Sequence, residues 1–139
     1  MIKWTPDLAT DVPLLDEHHQ AIFRWLAELE SAAAEQRTLF GAYAITRLKN
    51  YAREHFAAEE ELMKAAAYPD LDAHMAEHVA FRAKLDELQL KSIVTDISAD
   101  TVEFLTNWLT RHIAGTDMMY VPYLRRLNLG QAATPCRSS

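Results

Sequence analysis

The sequence predicts an all-α protein, an up-down-up-down four-helix bundle with a non-helical N-terminal arm. Four segments repeat apolar residues at helical spacing, short turns separate them, and no useful stretch alternates apolar with polar residues as a half-buried strand would. Composition agrees. The 139 residues are 50% hydrophobic with 3 Gly and 5 Pro, too apolar for a disordered chain and too poorly punctuated for a many-stranded sandwich. At this length one domain is expected, burying roughly 68% of its unfolded surface.

The arm, residues 1–15, contains Trp4, Pro6 and Pro13. The first helix is expected over about 17–36, with Asp16 as N-cap and Ile22, Phe23, Leu26 and Leu29 on one stripe. The second, about 40–67, carries Leu48, Tyr51, Ala52, Phe56 and Leu62, and the turn signal Tyr68-Pro69-Asp70 closes it. The third aligns Leu71, Met75, Phe81, Leu85 and Leu88 and ends near Lys91. The fourth opens after Ser98-Ala99-Asp100 with Val102, Leu105, Trp108 and Leu109, and Gly115 and Pro122 are expected to break or bend it. Residues 1–129 thus make one expected domain, arm 1–15 plus bundle 16–129. A disordered tail, 130–139, is expected to carry the single Cys136 as an exposed thiol.

Fourteen Lys and Arg against twenty Asp and Glu give a net charge of −6, which argues against nucleic acid or an anionic membrane as partner, since both need a concentrated basic face. The N-terminus lacks the apolar run of a signal peptide, and no window approaches the roughly 18 apolar residues of a membrane span. A cytoplasmic monomer is expected.

Five of the six histidines fall on the apolar stripes. His19 precedes Ile22 by three residues and Leu26 by seven, whereas His18 is turned about 100° away. His55 and Glu59 continue the stripe through Leu48 and Ala52, while Glu60 and Glu61 rotate off it and read as solvated. His74 and His78 lie between Leu71 and Phe81, and His112 follows Leu109, with Asp117 five residues on. At about 1.5 Å rise per residue in alternating helices, these groups gather toward one end of the bundle. Burying so many polar groups unpaired would cost about 1–3 kcal/mol each, and metal ligation removes that cost.

Two metal classes fit poorly. The run His74-Met75-Ala76-Glu77-His78 formally matches the H-x-x-E-H zinc peptidase pattern, but that leaves three inward histidines unused, and Glu77 reads as a surface carboxylate. Ferritin-like sites need Glu three residues before a ligand His, and the residues three before His55, His74, His78 and His112 are Ala52, Leu71, Met75 and Leu109.

The remaining pattern, His19, His55-x-x-x-Glu59, His74-x-x-x-His78 and His112-x-x-x-x-Asp117, resembles the hemerythrin family, more closely its single-domain bacterial branch. The likeness covers about residues 4–124 and includes Leu15-Asp16-Glu17-His18-His19, the run from His55 to Met63, Tyr68-Pro69, and the run from Trp108 to Ile113. His18 departs from the Gln or other polar residue frequent there, and the stretch between His78 and His112 is long.

The resemblance implies two Fe ions joined by an oxo or hydroxo bridge, one held by His74, His78 and His112 and the other by His19 and His55, with Glu59 and Asp117 bridging. It leaves one coordination position open on the two-histidine iron, where dioxygen binds reversibly beneath Leu109, with Trp108 and Ile113 closing the pocket. Ligand chemistry alone would favour zinc or copper, so iron is implied by the resemblance. An oxygen carrier, store or delivery protein is expected, not an enzyme, with dioxygen as ligand and an oxygen-consuming enzyme as its recipient. The alternatives are a dioxygen or redox sensor, or a diiron enzyme acting on peroxide or nitric oxide.

Overall fold

The computed structural model describes residues 3–132, in which four helical spans run back and forth and no strand occurs among the described residues. Helix α1 is Pro13–Ser31, α2 Arg37–Ala65, α3 Leu71–Lys91 and α4 Ser98–Asn107. The fourth span continues through a π-helical segment, Trp108–Thr116, and a 3-10 turn, Asp117–Tyr120, into α5, Val121–Ala132. Helix α2 packs against α1, α3 and α4, and α4 closes back onto α1. Of the expected disordered tail, 130–139, residues 130–132 are instead helical, continuing α5, and the rest, with Cys136, lies outside the described residues.

Helix α1 starts at Pro13, earlier than the apolar stripe indicates, because a proline at the first helical position has its φ preset and needs no N–H there. Asp16 is therefore not the N-cap. It sits inside the first turn and accepts both the Thr10 N–H and the Thr10 hydroxyl, each at 2.8 Å. Thr10 is fully buried, so this contact seals the arm, which contains one 3-10 turn at Pro6–Leu8, against the bundle. The helix stops at Ser31, before Ala32 and Ala33 turn extended.

Helix α2 ends in a Schellman turn. The Tyr68 N–H reaches the Met63 carbonyl and the Ala67 N–H reaches that of Lys64, with Ala67 in the left-handed region at φ 54°. Met63 is fully buried where Leu62 is only half-buried, and it joins Tyr68 in the same cluster, the apolar contact this turn requires. Neither Gly115 nor Pro122 breaks the last span. Gly115 keeps a negative φ within the π segment, and Pro122 is the second residue of α5, just after the 3-10 turn has reset the hydrogen-bond register.

The core divides into two apolar clusters. The larger includes Ile22, Leu26, Leu48, Phe56, Phe81, Leu85, Leu105 and Leu109; the smaller includes Leu15, Met63, Tyr68, Tyr120 and Leu124. Along each span the inward histidines and carboxylates fall between residues of these clusters: His19 between Leu15 and Ile22, Glu59 between Phe56 and Met63, Asp117 between Ile113 and Tyr120. A buried polar layer crosses the bundle.

Candidate metal centre

All seven side chains named from the sequence, His19, His55, Glu59, His74, His78, His112 and Asp117, lie in that layer with no more than 2% exposure. Helical spacing of three or four places most of them. His112 and Asp117 are five apart, which in an α-helix would set them about 140° from each other. The π segment resolves this: the Asp117 N–H bonds the His112 carbonyl in an i→i+5 step, and both side chains face inward.

Donor atoms within 4.8 Å of one another form two groups, one of Glu59, His74, His78, His112 and Asp117 and one of His19, His55, Glu59 and Asp117. Each carboxylate belongs to both groups and uses a different oxygen for each. Glu59 Oε2 lies 3.2 Å from His55 Nε2, while its Oε1 lies 3.2 Å from His74 Nε2 and 2.8 Å from His78 Nε2. Asp117 Oδ2 lies 3.1 Å from His19 Nε2, while its Oδ1 lies 2.9 Å from both His74 Nε2 and His112 Nε2. His19 Nε2 and His55 Nε2 are 3.1 Å apart.

Donors held at right angles on bonds of about 2.1 Å sit about 3 Å apart, so these separations suit the edges of two metal coordination shells. Hydrogen bonding accounts for them less well. His78 Nε2, His112 Nε2 and both Asp117 oxygens are buried near opposite-charge partners yet make no hydrogen bond of proper geometry, as expected of atoms aimed at shared centres. The residues therefore fit a pair of metal ions.

Electrostatics point the same way. Burial opposes ionisation of Glu59 and Asp117, but the histidines around them hold both carboxyls well below the usual range. Burial also disfavours protonated His19 and His74, yet the close, negatively charged carboxylates of Asp117 and Glu59 raise each to about 9. Burial lowers His55. In the metal-free chain, protons on imidazole supply positive charge that ions would otherwise bring.

The outer contacts were not visible from helical faces alone. Glu60 Oε2 accepts from His78 Nδ1 at 2.7 Å, and Glu77 Oε1 accepts from His112 Nδ1 at 2.8 Å and from the Thr116 hydroxyl at 3.0 Å. Neither glutamate is merely solvated, because each reaches a histidine on the neighbouring span. Tyr120 donates to Glu59 Oε2 at 2.7 Å, and His18 Nδ1 lies 2.9 Å from His55 Nδ1. The available signal was chemical: an imidazole that offers Nε2 to a metal leaves Nδ1 in need of a partner. Leu109 and Ile113 are fully buried and Trp108 is 8% exposed, all three in the larger cluster, with the Trp108 ring stacked 3.8 Å from that of His112.

A helical bundle with five histidines and two shared carboxylates in its core has the fold and donor set of a non-haem metal-binding protein. Residues 10–124 match the family profile described as the hemerythrin HHE cation binding domain. The chain is 31% identical over 126 residues to a bacteriohemerythrin of Stenotrophomonas maltophilia (strain R551-3), covering 90% of this chain and 82% of that protein. It is 32% identical over 128 residues to a bacteriohemerythrin of Methylococcus capsulatus, covering 89% of this chain and 97% of that protein. To a myohemerythrin of Theromyzon tessulatum it is 30% identical over 118 residues, covering 85% and 89%. The chain belongs to the hemerythrin family. None of its described helices is long and apolar enough to cross a membrane.

Proposed function

We propose that this chain binds dioxygen reversibly at a diiron centre and serves as an oxygen carrier, store or delivery protein. His74, His78 and His112 hold one iron, His19 and His55 hold the other, and Glu59 and Asp117 bridge them. The observation that carries this reading is the division of each carboxylate, one oxygen toward each histidine group. Three histidines against two leaves the His19–His55 group short of one protein ligand, which is the asymmetry a reversible binding site needs. When bound, the irons supply the electrons that hold oxygen.

The protein's part is to orient and to exclude. Stacked rings fix the imidazole planes: Phe56 lies 3.7 Å from His78 at 2°, and Trp108 lies 3.8 Å from His112 at 8°. Leu109 and Ile113, both fully buried, would keep water and protons away from the histidine side of the layer. Away from the ligands and their hydrogen-bonded partners, the surrounding cluster is apolar except for the Tyr51 hydroxyl and the Trp108 indole N–H, which suits binding without turnover.

Metal analysis with optical spectroscopy tests the proposal. Two irons per chain and a visible band that vanishes under vacuum and returns with oxygen are expected. One zinc and no visible band would sink it, and steady consumption of peroxide or nitric oxide would replace it with an enzymatic role.

A further inference from the structure

Two polar atoms in the larger cluster, the Tyr51 hydroxyl and the Trp108 indole N–H, make no hydrogen bond of proper geometry among the described residues, although the indole N–H lies close to the phenol oxygen. Both side chains are more than nine-tenths buried, at 6% and 8% exposure. An unpaired buried donor costs stability, and phenylalanine would fill the space of Tyr51 without that cost, so packing does not account for the hydroxyl. Even an indole N–H pointed at the phenol oxygen would leave the phenol proton without an acceptor.

Their place in the bundle supplies the reason. Tyr51 lies one turn before His55 on α2, with ring centroids 4.7 Å apart and planes at 14°. Trp108 lies one turn before His112 and stacks on it. Along α2 the order is Tyr51, His55, Glu59, and along the last span it is Trp108, His112, Asp117. The carboxylates thus occupy one side of the histidine layer and the two unpaired donors the other. A ligand added to the His19–His55 group opposite the carboxylates faces Tyr51.

Ring lengths reinforce this. A phenol oxygen stands farther from its ring centre than an imidazole nitrogen does from its own, so a phenol stacked on His55 can reach beyond that ring's nitrogens. The Tyr51 ring borders a groove of about 270 Å³ with His18, Trp25 and Arg47, but its hydroxyl is buried, so the groove does not hydrate it.

Resting on the diiron reading above, we propose that the Tyr51 hydroxyl, backed by Trp108, donates a hydrogen bond to the outer atom of a small ligand at the His19–His55 centre and selects ligands carrying negative charge there. Azide, a linear anion, is the probe, titrated into the oxidised iron-loaded protein and followed in the visible. Tyr51→Phe is expected to weaken azide binding by roughly five- to tenfold, while the melting temperature of the azide-free protein stays equal or rises. Trp108→Phe is expected to weaken azide in the same direction and carries the test should Tyr51→Phe not fold. Unchanged azide affinity in the variant would make Tyr51 a packing residue, and a lower azide-free melting temperature would show that the hydroxyl bonds within the chain. Either result overturns this inference and leaves the diiron reading standing, as does a wild-type protein that holds iron but not azide. A chain that takes up no iron overturns both.

Discussion

An imidazole that presents Nε2 to a metal leaves its Nδ1–H to be satisfied elsewhere; the buried Nδ1 of His19 and of His74 makes no hydrogen bond among the described residues, whereas at His78 and His112 the acceptors are Glu60 and Glu77. Such partners fix the ring and raise its basicity, and losing one typically costs about 10–100-fold in metal affinity. Glu60→Gln and Glu77→Gln are each expected to lose metal to a chelator at about 10–100-fold lower competitor concentration than wild type. Glu61→Gln, at an exposed neighbour of Glu60, should match wild type in the same titration. Equal metal retention in all of these proteins would mean that the two glutamates are ordinary surface groups. Six of the seven candidate ligand positions were legible because each sits on the apolar stripe of its own helix, whereas Asp117, five residues after His112, was legible through the family resemblance. Glu60 and Glu77 were not, because a stripe describes one helix, whereas Glu60 on α2 serves a histidine on α3 and Glu77 on α3 serves one on the π segment.

Helices α2 and α3 were placed within a few residues by apolar period and by the Tyr68-Pro69-Asp70 turn, while the last span held what period could not show. An α-helical reading cannot set His112 and Asp117 on one face, so their five-residue spacing was itself the trace of a π segment. Two other element-level details have measurable consequences. Ala67 adopts φ 54° in the Schellman turn after α2, a conformation that costs an L-residue about 1–2 kcal/mol and glycine little. Ala67→Gly should therefore raise stability by about 1 kcal/mol in denaturant melts, after the added freedom of the unfolded chain is offset. Gly41 lies where α2 meets the start of α4, and a Cβ there would stand 3.1 Å from Ser98 Cα and 3.2 Å from its backbone nitrogen. Backbone atoms cannot rotate aside, so Gly41→Ala should cost about 1–3 kcal/mol despite its better helix propensity. Opposite signs in these two variants are the expected result; a stabilising Gly41→Ala would show that α4 shifts freely against α2.

Across the whole molecule, protons and metal compete for one buried layer, and this ties stability to pH in a way that depends on loading. In the metal-free chain His19 and His74 titrate near 9, against 6.5 for an ordinary imidazole. A folded-state pKa above the unfolded value contributes stability that is fully present below about 6.5 and is lost as pH rises through about 9. Glu59 and Asp117, both depressed, act at the other end: their contribution holds above the ordinary carboxylate range and fades only in strong acid. His55, lowered by burial, subtracts stability as pH falls below its ordinary value. The metal-free protein should therefore melt at progressively lower temperature from pH 6.5 to 9, the window set by the two histidines raised to about 9, with His112 raised in the same direction. Metal ligation needs those nitrogens unprotonated, so the loaded protein should lose far less over the same range, and metal uptake below pH 9 should release protons to the buffer. Melting curves with and without metal, together with calorimetric titrations in buffers of different ionisation enthalpy, measure both. A metal-free melting temperature that is flat or rising between pH 6.5 and 9 would show that His19 and His74 do not carry the positive charge of the metal-free layer.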